Sequence, residues 1–330
     1  MNRGMTQTQN ADGELTTRGA AGTAGARPDL QKAPKLPRRF LVFTSAGDRN
    51  AVARWLGPGR DFNLWVAYYD GTRPTPLEHA ADYFLRRAGS KFQNLHYCFQ
   101  RWPDLLERYE AIMVMDDDIR ISPEKLDRLF ALREQHDLWA LQPAFSPWGK
   151  VSHRVTRVRR DCELRFVSFI ELACPLFRTD KLLDFLRVYD PILVGWGCDW
   201  WFMHTLGPDL RDRVAVIDNV ACINPWDWWK RGGYREIDRL ESRQQRQECW
   251  ERIRVSRGIV SAGNARRALR CVRHRGWARW ARFAWGVLER LPVRIAAWSW
   301  RTGRQLVHRQ SALPGHSSPR ALNSSSSSPR

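Results

Sequence analysis

The chain of 330 residues lacks the features that mark several special classes of protein. Its seven cysteines include no C-x-x-C pair and no Cys/His set at zinc-binding spacing, so neither a disulfide framework nor a zinc module is expected. It has no apolar signal-peptide core near its start and no run of about 18 or more apolar residues, so no membrane span is predicted. These absences favour a reduced, cytoplasmic location.

Residues 251–330 contain no lysine and almost no acid. Seventeen arginines stand against Glu251 and Glu289, which gives this part a net charge of +15 out of +19 for the whole chain. Residues 1–36 contain few large apolar side chains and residues 311–330 are rich in Ser and Pro, so both ends are predicted to be disordered. Between them we expect a catalytic domain over residues 37–243 and an Arg/Trp-rich helical appendage over residues 244–310.

Alternating strand and helix patterns predict an α/β fold with a largely parallel sheet. Buried-strand patterns cover residues 40–44, 62–69, 111–115, 138–142, 166–177 and 214–217, and helical patterns cover 92–106, 123–135 and 179–189. Residues 154–165 are predicted to be a basic, mobile connector.

Three consecutive acids, Asp116 to Asp118, directly follow the buried run 111–115. The carboxyl ends of strands are where open α/β sheets bind ligands, and adjacent carboxylates repel unless a cation neutralises them. The pattern therefore indicates a divalent-metal site for a phosphorylated substrate. The alternative is a solvated acidic turn.

Other polar residues lie at the ends of predicted strands or helices. The turn after Thr44 and Ser45 could place backbone N–H groups against a phosphate, although no complete G-x-G-x-x-G is present. Asp70 follows the second strand, where it would bind a ribose or simply form a turn with Gly71. Lys91 begins a helix and would reach a phosphate or stay exposed.

A second group of candidate residues comes later in the chain. Glu171 is the one acid within the apolar run 166–177, which makes it either exposed or functional. Gly195 and Gly197 flank Trp196, and two glycines there permit an unusual backbone and a close approach of a ligand. Asp199 follows, either as a reactive carboxylate or as a helix N-cap.

The order of these features resembles the family known as domain of unknown function 707, which is itself similar to the GT-A nucleotide-sugar glycosyltransferases. The resemblance covers residues 40–224 and is carried by four blocks, at 64–71, 109–118, 169–177 and 195–199 together with 214–218. It implies a three-layer α/β/α fold with a mostly parallel sheet, a nucleotide-sugar donor, and Mn²⁺ or Mg²⁺ as cofactor.

The resemblance also implies roles for individual residues. Asp116 and Asp118 match the Asp-x-Asp motif that holds the metal against the donor diphosphate, with Asp117 between them. The Gly-Trp-Gly segment is similar to an acceptor-binding loop, and Asp199 to its catalytic base. At the position where the resembled family has a metal-binding His, this sequence has Asn224, whose amide oxygen is still a ligand for a hard cation.

General chemistry supports the same roles. A divalent ion neutralises the charge that develops on a diphosphate leaving group, and a carboxylate can take the proton of the acceptor hydroxyl. Asp199 is the first choice for that base and Glu171 the second.

The C-terminal appendage has the pattern of a basic amphipathic helix. Trp277, Trp280, Ala284, Leu288 and Leu291 fall on one helical face, with Arg275, Arg279 and Arg282 opposite. This pattern predicts binding of residues 270–309 to an anionic membrane surface, and the alternative is a helix packed on the body. No nucleic-acid motif is present, so nucleic acid is not an expected partner.

Two functional hypotheses follow. The first is a metal-dependent glycosyltransferase that acts on a glycan or lipid at the cytoplasmic membrane face. The second is a catalytically inactive GT-A-like binding protein anchored to an anionic surface by its basic tail.

Overall fold

The computed structural model describes residues 30–32, 34, 38–71, 73–226, 236–259, 266–276 and 278–289. Within these residues the strands are β1 (Phe40–Ala46), β2 (Phe62–Tyr68), β3 (Tyr83–Arg86), β4 (Ala111–Val114), β5 (Ala140–Phe145), β6 (Cys162–Val167), β7 (Leu176–Arg178), β8 (Val214–Cys222) and β9 (Ala268–Arg273). The helices are α1 (Pro76–Ala80), α2 (Lys91–Arg101), α3 (Pro103–Glu107), α4 (Pro123–Gln135), α5 (Thr179–Val188), α6 (Cys198–Thr205), α7 (Glu236–Leu240), α8 (Arg243–Ser256) and α9 (Ala278–Leu288).

The described strands form one sheet in the order β3-β2-β1-β4-β7-β5-β8-β6-β9. The four strands from β3 to β4 are mutually parallel, and so are β5 and β8. Strands β7 and β6 run antiparallel to both of their neighbours, so the sheet is mixed rather than mostly parallel. The chain builds outward from β1 to β3 and then returns to place β4 on the other side of β1. This reversal creates a crevice at the carboxyl ends of β1 and β4, which is where open α/β sheets bind ligands.

Hydrophobic layers cover both faces of the sheet. Alternate residues of β1 point to opposite faces, with Leu41 and Phe43 in one cluster and Phe40 and Val42 in the other. Helices α2, α5, α6 and α8 supply the first cluster and α4 supplies much of the second. The predicted three-layer α/β/α class is therefore confirmed.

Local signals set the ends of several helices. Ser90 and Gln93 form a capping box at the start of α2, and the chain breaks at Trp102 before Pro103 begins α3. Ser122 and Pro123 begin α4 as the sequence predicted.

The prediction for residues 154–177 was wrong in its details. The expected connector contains a 3-10 turn at Arg154–Thr156 and the first half of β6, whereas residues 168–175 are not a strand. Cys162, Leu164 and Phe166 alternate with Glu163 and Arg165, which is the period of a strand, but the many charges of the segment favoured a connector. Arg165 is nevertheless buried inside β6, where it forms an ion pair with Asp218 at 2.7 Å.

The predicted helical appendage over residues 244–310 contains a strand as well as helices α8 and α9. Residues 268–273 are strand β9, which pairs with β6 and extends the sheet. Its residues are exposed or half-buried, so main-chain hydrogen bonds rather than a buried apolar face define the strand. Helix α8 inserts Cys249, Trp250 and Ile253 into the core.

The two chain ends lie largely outside the described residues. Within the predicted disordered start, Gln31 donates a backbone hydrogen bond to the Phe84 carbonyl and Lys32 pairs with Phe84, so this part of 1–36 is ordered. The described residues do not include Trp277 or residues 290–330, which contain Leu291. Of residues 1–36, they include 30–32 and 34. Among the described helices, none has the length and apolar character needed to cross a bilayer. All seven cysteines lie in described segments and none forms a disulfide.

Candidate active site

The three acids lie at the carboxyl end of β4, beside the crevice between β1 and β4. The Asp117 carboxylate accepts hydrogen bonds from the Gly47 N–H at 3.1 Å and from the Tyr69 hydroxyl at 3.0 Å. The Ala51 N–H donates to the Asp117 carbonyl at 2.6 Å. The loop after β1, the end of β2 and the end of β4 therefore meet at Asp117.

Position 47 requires glycine because two side chains lie very close to its backbone. A Cβ atom on Gly47 would lie 2.3 Å from Asp70 Oδ2 and 2.5 Å from Tyr69 Cε2. Only glycine permits the backbone to approach both side chains this closely. Gly47, in the turn after β1, thus brings a main-chain N–H to the carboxylate cluster.

Charge is crowded around Asp117. Burial, followed by repulsion from Asp118, raises the pKa of Asp117 to about 7, although the hydrogen bonds from Gly47 and Tyr69 oppose this shift. Burial also raises the pKa of Tyr69, so its hydroxyl stays protonated and donates. The cluster therefore carries negative charge that a cation would relieve.

Lys91 joins the acid cluster to the segment that follows β6. Its ammonium group donates to Asp116 Oδ1 at 2.7 Å, to the Leu172 carbonyl at 2.6 Å and to the Ala173 carbonyl at 3.2 Å. The Asp116 N–H donates to the Ala173 carbonyl at 2.8 Å. The Lys91 side chain is 8% exposed, so it is an internal cation and not the exposed lysine of the alternative interpretation.

Glu171, one residue before Leu172, is buried. Its backbone N–H donates to Gln142 Oε1 at 2.5 Å, and its carboxyl group contacts the Thr156 hydroxyl. Burial, with a smaller contribution from the charge of Asp199, raises the pKa of Glu171 to about 7, although the hydrogen bond with the Thr156 hydroxyl opposes this shift. Glu171 and Asp199 therefore lie within electrostatic reach of each other.

The contacts of Thr156 can also accommodate a protonated Glu171. The Thr156 hydroxyl has one proton but two acceptors within reach, the His153 carbonyl at 2.8 Å and Glu171 Oε1. If Thr156 donates to His153, a protonated Glu171 can donate to Thr156 in turn. Both contacts are then satisfied.

Asp199 lies in the first turn of α6. Gly197 is the N-cap residue, so Asp199 is not the cap, and its Oδ1 accepts the Trp200 N–H at 3.0 Å. Burial raises the pKa of Asp199 to about 6, while the Trp200 N–H and the Arg266 guanidinium oppose the shift. Asp199 therefore titrates near neutral pH.

The Gly-Trp-Gly loop packs against the C-terminal part of the chain. Gly197 has φ +92°, and a Cβ atom there would lie 2.2 Å from Trp250 Cδ2. Trp196 is 40% exposed, and the Arg243 guanidinium lies 5.2 Å from the centre of its ring. Gly195 is buried, with Leu172 nearby. The loop presents one aromatic ring to solvent next to the Leu172 segment.

The three remaining residues predicted to bind nucleotide or phosphate differ in accessibility. Thr44 is fully buried in β1 and its hydroxyl donates to the Ser45 carbonyl at 3.3 Å, so it offers a ligand no exposed atom. Ser45 accepts a hydrogen bond from Asn94 Nδ2 at 2.8 Å. Asp70 accepts the Asp48 N–H at 2.9 Å and pairs with Arg239 at 2.9 Å. Direct ligand contact through Thr44 is thus not supported.

Asn224 directly follows Ile223, which contacts the loop that begins with the three acids. Arg120, two residues after Asp118, forms a two-way backbone pair with Ile223 at 2.9 Å and 3.0 Å, and the Asn224 carbonyl accepts the Lys150 N–H. Within the described segments, no group of three or more His, Cys, Asp or Glu side chains is arranged to hold a metal. The candidate donor set of Asp116, Asp118 and Asn224 consists of hard oxygen ligands that suit Mg²⁺ or Mn²⁺, but Lys91 already neutralises Asp116.

Several contributing residues were missed by sequence reasoning. Tyr69 lies beside Asp70 in the chain but donates to Asp117, and Asn94 joins the end of β1 to the loop before α2. Arg266 donates to His153 Nδ1 at 2.6 Å and lies 4.8 Å from the Trp200 ring centre. These contacts connect distant parts of the chain, so no local pattern indicates them.

Comparisons with known proteins give a distant likeness. A scan against protein-family models and a search of curated proteins each returned no match. Among solved structures, the chain is similar to TarS 1–349 from S. aureus in complex with UDP, with 13% identity, a TM-score of 0.38, and 57% of this chain and 60% of that chain covered. The complex of the same fragment with UDP-GlcNAc is 13% identical, with a TM-score of 0.38, and the match covers 61% of this chain and 60% of that chain. The crystal structure titled simply TarS 1–349 is 14% identical, with a TM-score of 0.39, and the match covers 68% of this chain and 73% of that chain.

The chain thus spans about 60% of the length of the TarS chains in the two ligand complexes. A likeness of this size assigns neither an activity nor a ligand to the present chain. The resemblance to domain of unknown function 707 likewise stays a prediction, because no family model matches.

Proposed function

We propose that the chain transfers a sugar from a nucleotide-sugar donor to a glycan or lipid acceptor, and that it does so with a divalent cation at the cytoplasmic face of a membrane. The observation that supports this most is the carboxylate cluster of Asp116 to Asp118 beside the β1–β4 crevice. Lys91 connects that cluster to a second acidic region that contains Glu171 and Asp199.

The first acidic region suits the donor. Asp118, Asp116 and Asn224 would hold Mn²⁺ or Mg²⁺, which when bound supplies charge neutralisation for a diphosphate leaving group. Lys91 pairs with Asp116 at the same edge of the sheet, so the metal would share this carboxylate with an internal ammonium group. Asp117 and Asp70 would face the nucleoside.

The second acidic region suits the acceptor. As the acceptor oxygen bonds to the sugar carbon and the bond from that carbon to the diphosphate oxygen breaks, the acceptor proton passes to a carboxylate. Asp199 is the proposed base. Its pKa of about 6 is low enough to leave it ionised at neutral pH and high enough for its carboxylate to accept a proton readily. Trp196, three residues earlier in the chain, would provide an exposed ring for an acceptor sugar.

A second candidate is a protein that binds the donor without transferring it. The observation in its favour is the Lys91–Asp116 ion pair at 2.7 Å, which occupies one of the expected metal ligands. A binding protein would retain nucleotide affinity but show no transfer and no requirement for metal.

The test is thermal unfolding of the full chain with UDP, UDP-GlcNAc and other nucleotide sugars, with and without Mn²⁺. A ligand at about 100 times its Kd stabilises the folded state by about 2.7 kcal/mol, which is a Tm rise of roughly 5–10 °C for a domain of this size. Asp118→Asn should remove the metal-dependent part of the rise. Asp209→Asn makes the same charge change at a surface ion pair and should keep it.

Three outcomes separate the interpretations. A metal-dependent shift that Asp118→Asn abolishes, with donor turnover, supports the transferase. A shift without metal dependence or turnover supports the binding protein. The absence of any shift across the nucleotide panel overturns both.

A further inference from the structure

A basic cavity lies outside the carboxylate site, between the segment before β6 and helix α9. Its volume is about 320 Å³, and its walls include Arg154, Arg157, Arg159, Arg160 and Asp161 from that segment, and Phe283, Gly286 and Val287 from α9. This volume is at the lower end of the range of small-molecule sites, about 300–1,000 Å³. The cavity is large enough for a small polar group and is open to solvent.

Positive charge predominates in the lining of the cavity. Arg159 pairs with Asp161 at 2.9 Å and Arg160 pairs with Glu289 at 2.9 Å, so each of these two arginines is matched by an acid. Arg154 and Arg157 are exposed and lie in the same wall, so the lining holds four arginines and one acid, Asp161. The expected ligand is therefore an anion, and guanidinium groups in particular match phosphate oxygens.

Helix α9 is attached to the body through Glu289 and Gly286. Glu289 accepts from Arg160 Nε at 3.0 Å and Nη2 at 2.9 Å, and from Trp148 Nε1 at 3.2 Å. Gly286 lies against the Arg160 side chain, where an added Cβ would be 2.9 Å from Arg160 Cγ. These contacts fix the position of the helix beside the cavity.

The rest of α9 presents large apolar side chains to solvent. Trp280 is 67% exposed, Phe283 51%, Trp285 63%, Val287 47% and Leu288 58%. The alternative in which α9 buries its apolar face on the body is therefore wrong for this part of the helix. A group of exposed apolar side chains on one short helix marks an interaction surface.

We propose that this cavity and α9 together bind an anionic membrane, with a lipid phosphate headgroup in the arginine-lined cavity and Trp285 and Leu288 in the interfacial layer. Two features of the molecule point to lipid as the source of the phosphate. The cavity is positively charged, and the helix that forms one of its walls exposes Trp and Leu directly beside it. Phosphate and apolar chains occur together in this way at a lipid surface.

This inference goes beyond the proposed transfer reaction and does not depend on it. The same segment directs His153 and Thr156 toward Glu171, whereas Arg154 and Arg157 face the cavity. The measurement below is therefore vesicle binding, which needs neither donor nor metal.

The experiment is flotation of the full chain with vesicles of equal parts phosphatidylglycerol and phosphatidylcholine, and with phosphatidylcholine alone. The pair Arg154→Gln/Arg157→Gln should weaken binding to the anionic vesicles by roughly 30-fold, since each arginine near such a surface contributes about 1 kcal/mol. The pair Arg128→Gln/Arg211→Gln makes the same charge change at exposed positions, on α4 and before the first residue of β8, and should weaken binding by less than about threefold. Trp285→Ser/Leu288→Ser should also weaken it.

Each other result overturns the proposal. Equal losses in the two arginine pairs would indicate attraction by overall charge and no specific cavity. Full binding by Trp285→Ser/Leu288→Ser, with displacement of the protein by inorganic phosphate, would indicate a soluble phosphate compound. Tighter binding to duplex DNA than to vesicles, lost in Arg154→Gln/Arg157→Gln, would indicate a nucleic-acid partner. No flotation of the wild type with anionic vesicles would exclude a membrane partner.

Discussion

Replacement of Gly197 by alanine tests whether α8 holds the Gly-Trp-Gly loop in place. The new Cβ would lie 2.2 Å from Trp250 Cδ2 and 2.4 Å from Trp250 Cε3, at a residue with φ +92°. The left-handed backbone costs about 1–2 kcal/mol for a residue with a Cβ. Overpacking against a buried ring adds about 1–3 kcal/mol, so we expect Gly197→Ala to lower the free energy of unfolding by about 2–5 kcal/mol.

A double-mutant cycle separates these two contributions. Trp250→Ala alone should cost about 3–5 kcal/mol, because it leaves a cavity in a well-packed region. In Gly197→Ala/Trp250→Ala the ring is absent and the overpacking disappears. The double variant should then be about 1–3 kcal/mol more stable than the sum of the single effects predicts.

The measurement is denaturant unfolding of the full chain at equilibrium, with Gly207→Ala as the matched control. Gly207 has φ +87°, and a Cβ there would meet nothing within 4 Å, so this variant measures the backbone contribution alone. If Gly197→Ala costs no more than Gly207→Ala, or if the cycle is additive, then Trp250 does not pack on the loop and the argument is refuted.

Two further predictions concern buried charges. Between about pH 4.5 and about pH 7 the folded protein keeps a proton on Glu171 that the unfolded chain releases, so this contribution to stability is largest at low pH and is lost as the pH rises through 7. Glu171→Gln should therefore flatten the pH dependence of the free energy of unfolding between pH 5 and pH 8 by about 3 kcal/mol, and parallel curves would contradict the assignment. Asp218→Asn should cost about 3–5 kcal/mol because it leaves the Arg165 guanidinium buried without its carboxylate, whereas the exposed Asp212→Asn should change the free energy of unfolding by less than about 1 kcal/mol. A loss at Asp218 as small as that at Asp212 would show that Arg165 is not buried in solution.

The part of the site that could be predicted from sequence is the part carried by contiguous residues. The run before Asp116 is apolar and short, and the acids follow directly, so strand β4 and the position of the cluster at its carboxyl end were read from one stretch. The interaction of Tyr69 with Asp117 depends instead on how β2, β1 and β4 align in the sheet. The spacing of residues within one strand does not indicate how that strand aligns with its neighbours.

The part that could not be predicted involves residues whose burial differs from what their polarity suggests. Arg165 is 3% exposed inside β6, and its partner Asp218 lies far along the chain in β8. Strand β9 is the reverse case, since most of its residues are exposed and its arginines suggested a solvated helix. In both segments tertiary pairing overrides the local hydrophobic pattern.

The C-terminal part of the chain also bears on which carboxylate would act as the base in the proposed transfer reaction. Arg266, from the segment just before β9, places its positive charge near Asp199 and opposes the rise in the pKa of that group, while Glu171 has the Asp199 carboxylate as its neighbour. The neighbouring charges therefore favour ionisation of Asp199 over ionisation of Glu171. In the proposed transfer reaction, the carboxylate that ionises more readily would act as the base and the other would retain its proton. His153 strengthens this preference, because burial lowers its pKa to about 4, which leaves a neutral ring whose Nδ1 accepts from Arg266 and keeps the guanidinium in place.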